Sequence, residues 1–133
     1  MKTIQALTLA DVKRIAAAAE AEAGANKWAV SIAVCDAGGH LLWLQRMDGA
    51  PVMSATIAPD KARASALSGK PTKMLEDMVN GGRVAALGMP VVTLEGAEPI
   101  VIDGTVIGAV GVSGVKAPED AQVARAGIAA LAQ

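Results

Sequence analysis

The sequence holds no phenylalanine and no tyrosine, and two tryptophans bring its aromatic share to only 2%. Readers of single-stranded nucleic acid stack bases on aromatic rings, so that class lacks its platform. A single cysteine, Cys35, excludes an internal disulfide. A single histidine, His40, excludes a closed zinc site built from a Cys/His cluster. No run approaches the roughly 20 apolar residues of a membrane span, because Lys, Arg, Asp or Glu interrupts every apolar stretch. Charge of one sign is missing too. Twelve Lys+Arg face thirteen Asp+Glu, and the net charge of -1 gives no electrostatic case for nucleic acid or an anionic membrane. Met1 to Gln5 carry no apolar segment ahead of a cleavage site, so a cytoplasmic protein is expected.

What is present is apolar. Of 133 residues, 53% are hydrophobic and 19% charged, which excludes disorder. The length suits one domain spanning 1–133. A domain this small buries only about two-thirds of its surface. The apolar excess therefore points to a homo-oligomer, a dimer or higher.

The pattern alternates helices with hairpins. Thr8 and Asp11 have the spacing of a helix N-cap, and Leu9, Val12, Ile15, Ala16 and Ala19 recur at helical intervals up to Gly24. Residues 28–35 alternate. Trp28, Val30, Ile32 and Val34 make a bulky side, and Ala29, Ser31, Ala33 and Cys35 a small one that lets a helix come close. Asp36-Ala37-Gly38-Gly39-His40 reads as a turn into a second strand, Leu41 to Met47. Residues 54–68 read as a helix whose regular part begins near Ala58, because Pro59 belongs in a first turn. A short helix follows from Pro71 to Asn80. Strands are expected at Val91–Leu94, Pro99–Ile102 and Val106–Val112, the last two joined by Asp103-Gly104. Pro118-Glu119-Asp120 opens a final helix with Ala121, Ala124, Ile128 and Leu131 on its buried stripe. Grouped helices over adjacent antiparallel strands indicate an α+β fold.

Few residues carry chemistry. His40 reads as a solvated turn residue or as a metal or haem ligand, alone or with one of Met47, Met53, Met74, Met78 and Met89. The simplest reading of each methionine is core filler. Cys35 reads as a buried inert thiol. Ser113, His40 and Asp36 make a triad only on paper, since the strand–turn–helix elbow that presents such a serine is missing. Gly111 to Gly114 reads as a tight turn or as a cradle for an anion. Arg46, Asp48, Asp60, Lys61 and Arg63 are the densest charged group. Arg46 and Lys61 suit a carboxylate ligand, or else Asp48 pairs with Arg46 or Lys61 to hold strand to helix.

Four motifs then come together. Val34-Cys35-Asp36-Ala37-Gly38-Gly39-His40-Leu41, Arg46-Met47-Asp48-Gly49-Ala50, Lys61-Ala62-Arg63-Ala64-Ser65-Ala66 and the stretch from Asp103 to Gly114 resemble, in order and spacing, the GlcG/HbpS family of haem-binding and related proteins. They also resemble the C-terminal domain of PduO-type cobalamin adenosyltransferases. The resemblance implies a profilin-like three-layer α/β/α fold around a five-stranded antiparallel sheet, and association into dimers or higher oligomers. It implies haem or another tetrapyrrole as ligand. The residues themselves then offer His40, or a methionine, as the metal ligand, with Arg46, Asp48, Lys61, Ser113 and Gly114 around the ligand. The alternative expectation is a small catabolic-pathway enzyme or accessory protein that binds an organic acid through Arg46 and Lys61, with Asp36 or Asp48 as acid/base. A third is an oligomer whose charges only hold the fold.

Overall fold

The computed structural model describes residues 1–132. Helix α1, Leu9–Ala25, starts at the expected cap. The Asp11 N–H donates to Thr8 Oγ1 and the Thr8 N–H to the Asp11 carboxylate, so two otherwise orphaned donors are satisfied reciprocally. Gly24 does not end it. The helix runs one residue further to an Asn26 cap, and Lys27, at φ 61°, takes the left-handed step.

Strands β1, Ser31–Asp36, and β2, Leu41–Arg46, form the first hairpin. Helix α2, Ser54–Ser68, has the expected bounds, but its regular part begins at Ser54 rather than near Ala58. The N–H groups of Ser54, Ala55 and Thr56 bond three residues back, to Pro51, Val52 and Met53, so a tight turn feeds the helix ahead of Pro59. Gly69 ends it in the left-handed region, at φ 71°. Helix α3, Thr72–Asn80, and a 3₁₀ turn, Val84–Gly88, follow. Strands β3, Ala97–Ile102, and β4, Thr105–Ser113, meet at Asp103-Gly104, where both residues have positive φ as a two-residue hairpin requires. Helix α4, Ala117–Ala129, closes the chain before a last 3₁₀ turn.

The sheet is antiparallel, in the order β2-β1-β4-β3. It has four strands, not the five that the resemblance implies. The strand expected at Val91–Leu94 does not form. The preceding Pro90 is held to α2 by the Arg63 guanidinium, 2.7 Å from its carbonyl, and Val91 and Val92 lie along the helix rather than in a ladder.

Helices flank both faces. Val30, Ile32, Val34, Val110 and Val112 pack with Val12, Ile15, Val123 and Ala124 of α1 and α4. Ala33, Cys35 and Ala109 pack with Ala58, Ala62 and Ala66 of α2. The small side of β1 is thus the side a helix approaches closely, as its alternation predicts. Among the described residues no helix is long and apolar enough to cross a membrane.

Candidate functional site

The two ends of the sheet divide the candidate residues. Along β4, Gly108 pairs with Asp36 and Ser113 with Ser31, so His40 and Ser113 lie at opposite ends. Five residues of strand separate them, about 17 Å. The triad of Ser113, His40 and Asp36 therefore does not assemble. Ser31 also pairs with Arg46, which places Arg46, Ser113 and Gly114 at the end away from His40.

At that far end Lys61 is already committed. It is 4% exposed, and Nζ donates at 3.0 Å to Asp120 Oδ2 and at 3.0 Å to the Val112 carbonyl. Neither ion pair expected for Lys61 or Arg46 forms; the partner is Asp120, on the opposite face of the sheet. Burial pushes the Asp120 carboxyl up, against the opposing pull of Lys61 and of the Val115 N–H. Gly96, at φ 135°, makes room for this pair, since a Cβ there would sit 2.6 Å from Lys61 Nζ. Lys61 has no free face for a ligand carboxylate. Arg46 and Asp48 are exposed. Gly114 lies against the backbone of Ala29 and Val30, the tight-turn reading of that motif.

At the other end a compact turn is built on one carboxylate. Asp36 Oδ1 accepts the N–H groups of Gly38 and His40, both at 2.9 Å, and contacts His40 Nδ1 at 3.1 Å. The Gly39 N–H donates to the Asp36 carbonyl. A Cβ at Gly38 would lie 2.7 Å from the imidazole Cε1, so a larger residue there would displace the exposed ring from this position. Partial burial pulls the Asp36 carboxyl upward, but the His40 N–H, the imidazole and the Gly38 N–H outweigh it and leave it below the usual range. With Nδ1 turned to a carboxylate, the imidazole keeps its proton there and leaves Nε2 as the free electron pair. The His40 side chain is 80% exposed.

His40 also lines a cleft of about 410 Å³. Its walls are Ile4, Leu7, Leu42 and Ile107, with the Asp36 turn at one side. This is an apolar groove with one converging polar pair, the usual make-up of a small-molecule site. No methionine lines it. The five candidates lie elsewhere: Met47 against the core, Met53 and Met74 exposed, Met78 on α3, and Met89 beside Pro90. Cys35 is buried and its thiol is pushed up to about 11 by burial, so it stays protonated and inert at neutral pH. Among the described residues no group of three or more His, Cys, Asp or Glu gathers to hold a metal ion.

The Asp36–His40 pairing has a legible signal, an acid and an imidazole four residues apart across two glycines. Ile4, Leu7 and Ile107 have none, because the segment ahead of α1 and strand β4 reach the cleft only in the fold.

Comparisons with known proteins now bear on the site. A family model described as "Haem degrading protein HbpS-like" matches residues 7–129. The protein GlcG of Escherichia coli strain K12 is 51% identical over 114 residues, 85% of each chain. Among solved structures, protein ORFY of Klebsiella pneumoniae superposes with a TM-score of 0.93 at 31% identity, covering 99% of this chain and 94% of its own. A PduOC:Heme complex superposes with a TM-score of 0.85 at 31% identity, covering 95% of each chain.

Proposed function

The chain belongs to the HbpS-like family, and we propose that it binds haem or a related tetrapyrrole, with His40 Nε2 as the ligand to the metal. One observation carries the reading: the only histidine has its Nδ1 fixed by a carboxylate, its Nε2 unused, and an aliphatic cleft beside it. The residues present fit such a group. Imidazole is a common axial ligand, and a carboxylate behind it raises its basicity and sets its tautomer. Ile4, Leu7, Leu42 and Ile107 offer the macrocycle an apolar wall without aromatic rings. The superposing PduOC:Heme complex, a relative of the same fold that binds haem, supports the choice of ligand. Bound there, the iron would supply redox or gas-binding chemistry. The protein's part is to orient the imidazole and keep water from one face.

The organic-acid alternative is weaker, because Lys61 is buried and already neutralised by Asp120. The helices on both faces of the sheet suit a profilin-like three-layer arrangement. A lone buried thiol suits a reducing cytoplasm.

A haemin titration followed by absorbance tests the reading. The wild-type chain gives a saturating Soret shift. His40→Ala abolishes or moves that band while the far-UV circular dichroism stays unchanged, and Asp36→Asn weakens binding about tenfold. A non-saturating titration of the wild-type chain, or an identical spectrum from His40→Ala, overturns it.

A further inference from the structure

An aspartate followed three residues later by an arginine occurs on two helices, and the two pairs behave differently. On α1, Arg14 Nη2 lies 3.0 Å from Asp11 Oδ1, the ion pair that neighbours one turn apart are expected to make. On α2, Asp60 and Arg63 have the same order and spacing, yet no ion pair joins them among the described residues. Arg63 is held elsewhere. Its Nη1 donates at 2.7 Å to the Pro90 carbonyl. Its stem lies against the turn at Gly39, where a Cβ would fall 2.9 Å from Arg63 Cγ. Asp60 is left exposed, and among the described residues its carboxylate accepts no hydrogen bond.

The two separated charges line one cavity of about 260 Å³, with Met89, Pro90, Val91 and Val92 as its other walls. A second hollow, of about 210 Å³, shares Met89, Pro90 and Val91 and reaches Leu67. A cation, an anion and an aliphatic wall therefore meet in one place. Asp60 repels a simple carboxylate, and Arg63 repels a simple amine. A molecule that carries both charges satisfies both groups. Pro90 takes one N–H of Arg63, which leaves the guanidinium donors enough to grip both oxygens of a carboxylate. We propose that this cavity binds a free aliphatic α-amino acid. Its carboxylate meets Arg63, its ammonium meets Asp60, and its side chain lies along Met89 and Val91 toward Leu67. The cavity shares no lining residue with the His40 cleft, so the proposal does not rest on the haem reading.

Isothermal titration calorimetry of the full chain tests it, with no haemin present. The probes are L-leucine and the same hydrocarbon carrying one charge, isocaproate or isoamylamine. Leucine gives a saturable heat at millimolar concentration, and each singly charged analogue binds at least about tenfold more weakly. Asp60→Asn and Arg63→Gln each weaken leucine at least about tenfold. Arg14→Gln, which breaks the pair already made on α1, leaves leucine binding unchanged. The absence of saturable heat with leucine, valine and methionine overturns the proposal. So does an analogue that binds as tightly as leucine, since the cavity then takes a simple acid or a simple amine. Leucine binding that survives both α2 variants overturns it as well. Should Arg63→Gln fail to fold by circular dichroism, the exposed Asp60→Asn decides.

Discussion

The two faces of the sheet hold their helices by different means. Toward α1 and α4 the contact is made of branched side chains: Val30, Ile32, Val34, Val110 and Val112 against Val12, Ile15 and Val123. Toward α2 it is made of little more than backbone. Gly111 lies so close to α2 that a Cβ there would fall 2.2 Å from the Ala58 carbonyl and 2.5 Å from the Ala62 nitrogen. The first face is stabilised by apolar area removed from water. The second gains close dispersion contact along the helix and leaves no slack. A bulky face therefore loses stability in proportion to what is removed. A close-packed face tolerates alanine and fails when anything is added.

The largest effect should come from adding to the tight face. Gly111→Val drives two methyl groups into helix backbone that has no side chain to yield, and should cost about 4 kcal/mol or more in urea unfolding, enough to unfold a marginal domain. If Gly111→Val folds with near-wild-type stability, α2 is not held by backbone approach and the contrast between the faces fails.

Removing from the bulky face comes next. Ile32 is fully buried, and Ile32→Ala should cost about 3 kcal/mol in the same assay, with Ile32→Val near 1. The graded pair sharpens the comparison, because the tight face has no graded equivalent.

The smallest effect is a pH dependence on the tight face. The Cys35 thiol is raised by burial from 9.0 to about 11. Between those values the unfolded chain has lost its thiol proton while the folded chain keeps it. The unfolded state therefore binds fewer protons there, and this group's contribution to stability falls as pH rises past 9 toward 11. Native Cys35 should accordingly resist iodoacetamide at pH 8, at a rate at least about tenfold below that of the urea-unfolded chain. Equal rates would mean that α2 opens readily over β1.

Much of this is legible from residue order alone. The alternation of residues 28–35 sets out both faces, because side chains of a strand point alternately to either side. Thr8 with Asp11 marks the first helix, and Asp103-Gly104 marks the β3–β4 turn. Val91 to Leu94 misleads, since a short apolar run has no period that separates a strand from a segment lying along a helix. Lys61 misleads for a different reason. Chain order groups it with Arg46 as a ligand cation, but its partner, Asp120, is 59 residues away in the chain.

The sequence by itself determined the elements, the contrast between a bulky and a small sheet face, and the Asp36–His40 turn. Each of these is a local matter, set by strand alternation, glycine geometry and hydrogen bonds over four residues or fewer. Tertiary structure alone decided which charges are spent and which are free. It buried Lys61 against Asp120, left Arg46 at an open edge, and brought Ile4, Leu7 and Ile107 around His40. Desolvation is the physical reason. A charge is costly to bury without a partner, and whether it is buried depends on elements distant in the chain that only folding brings together.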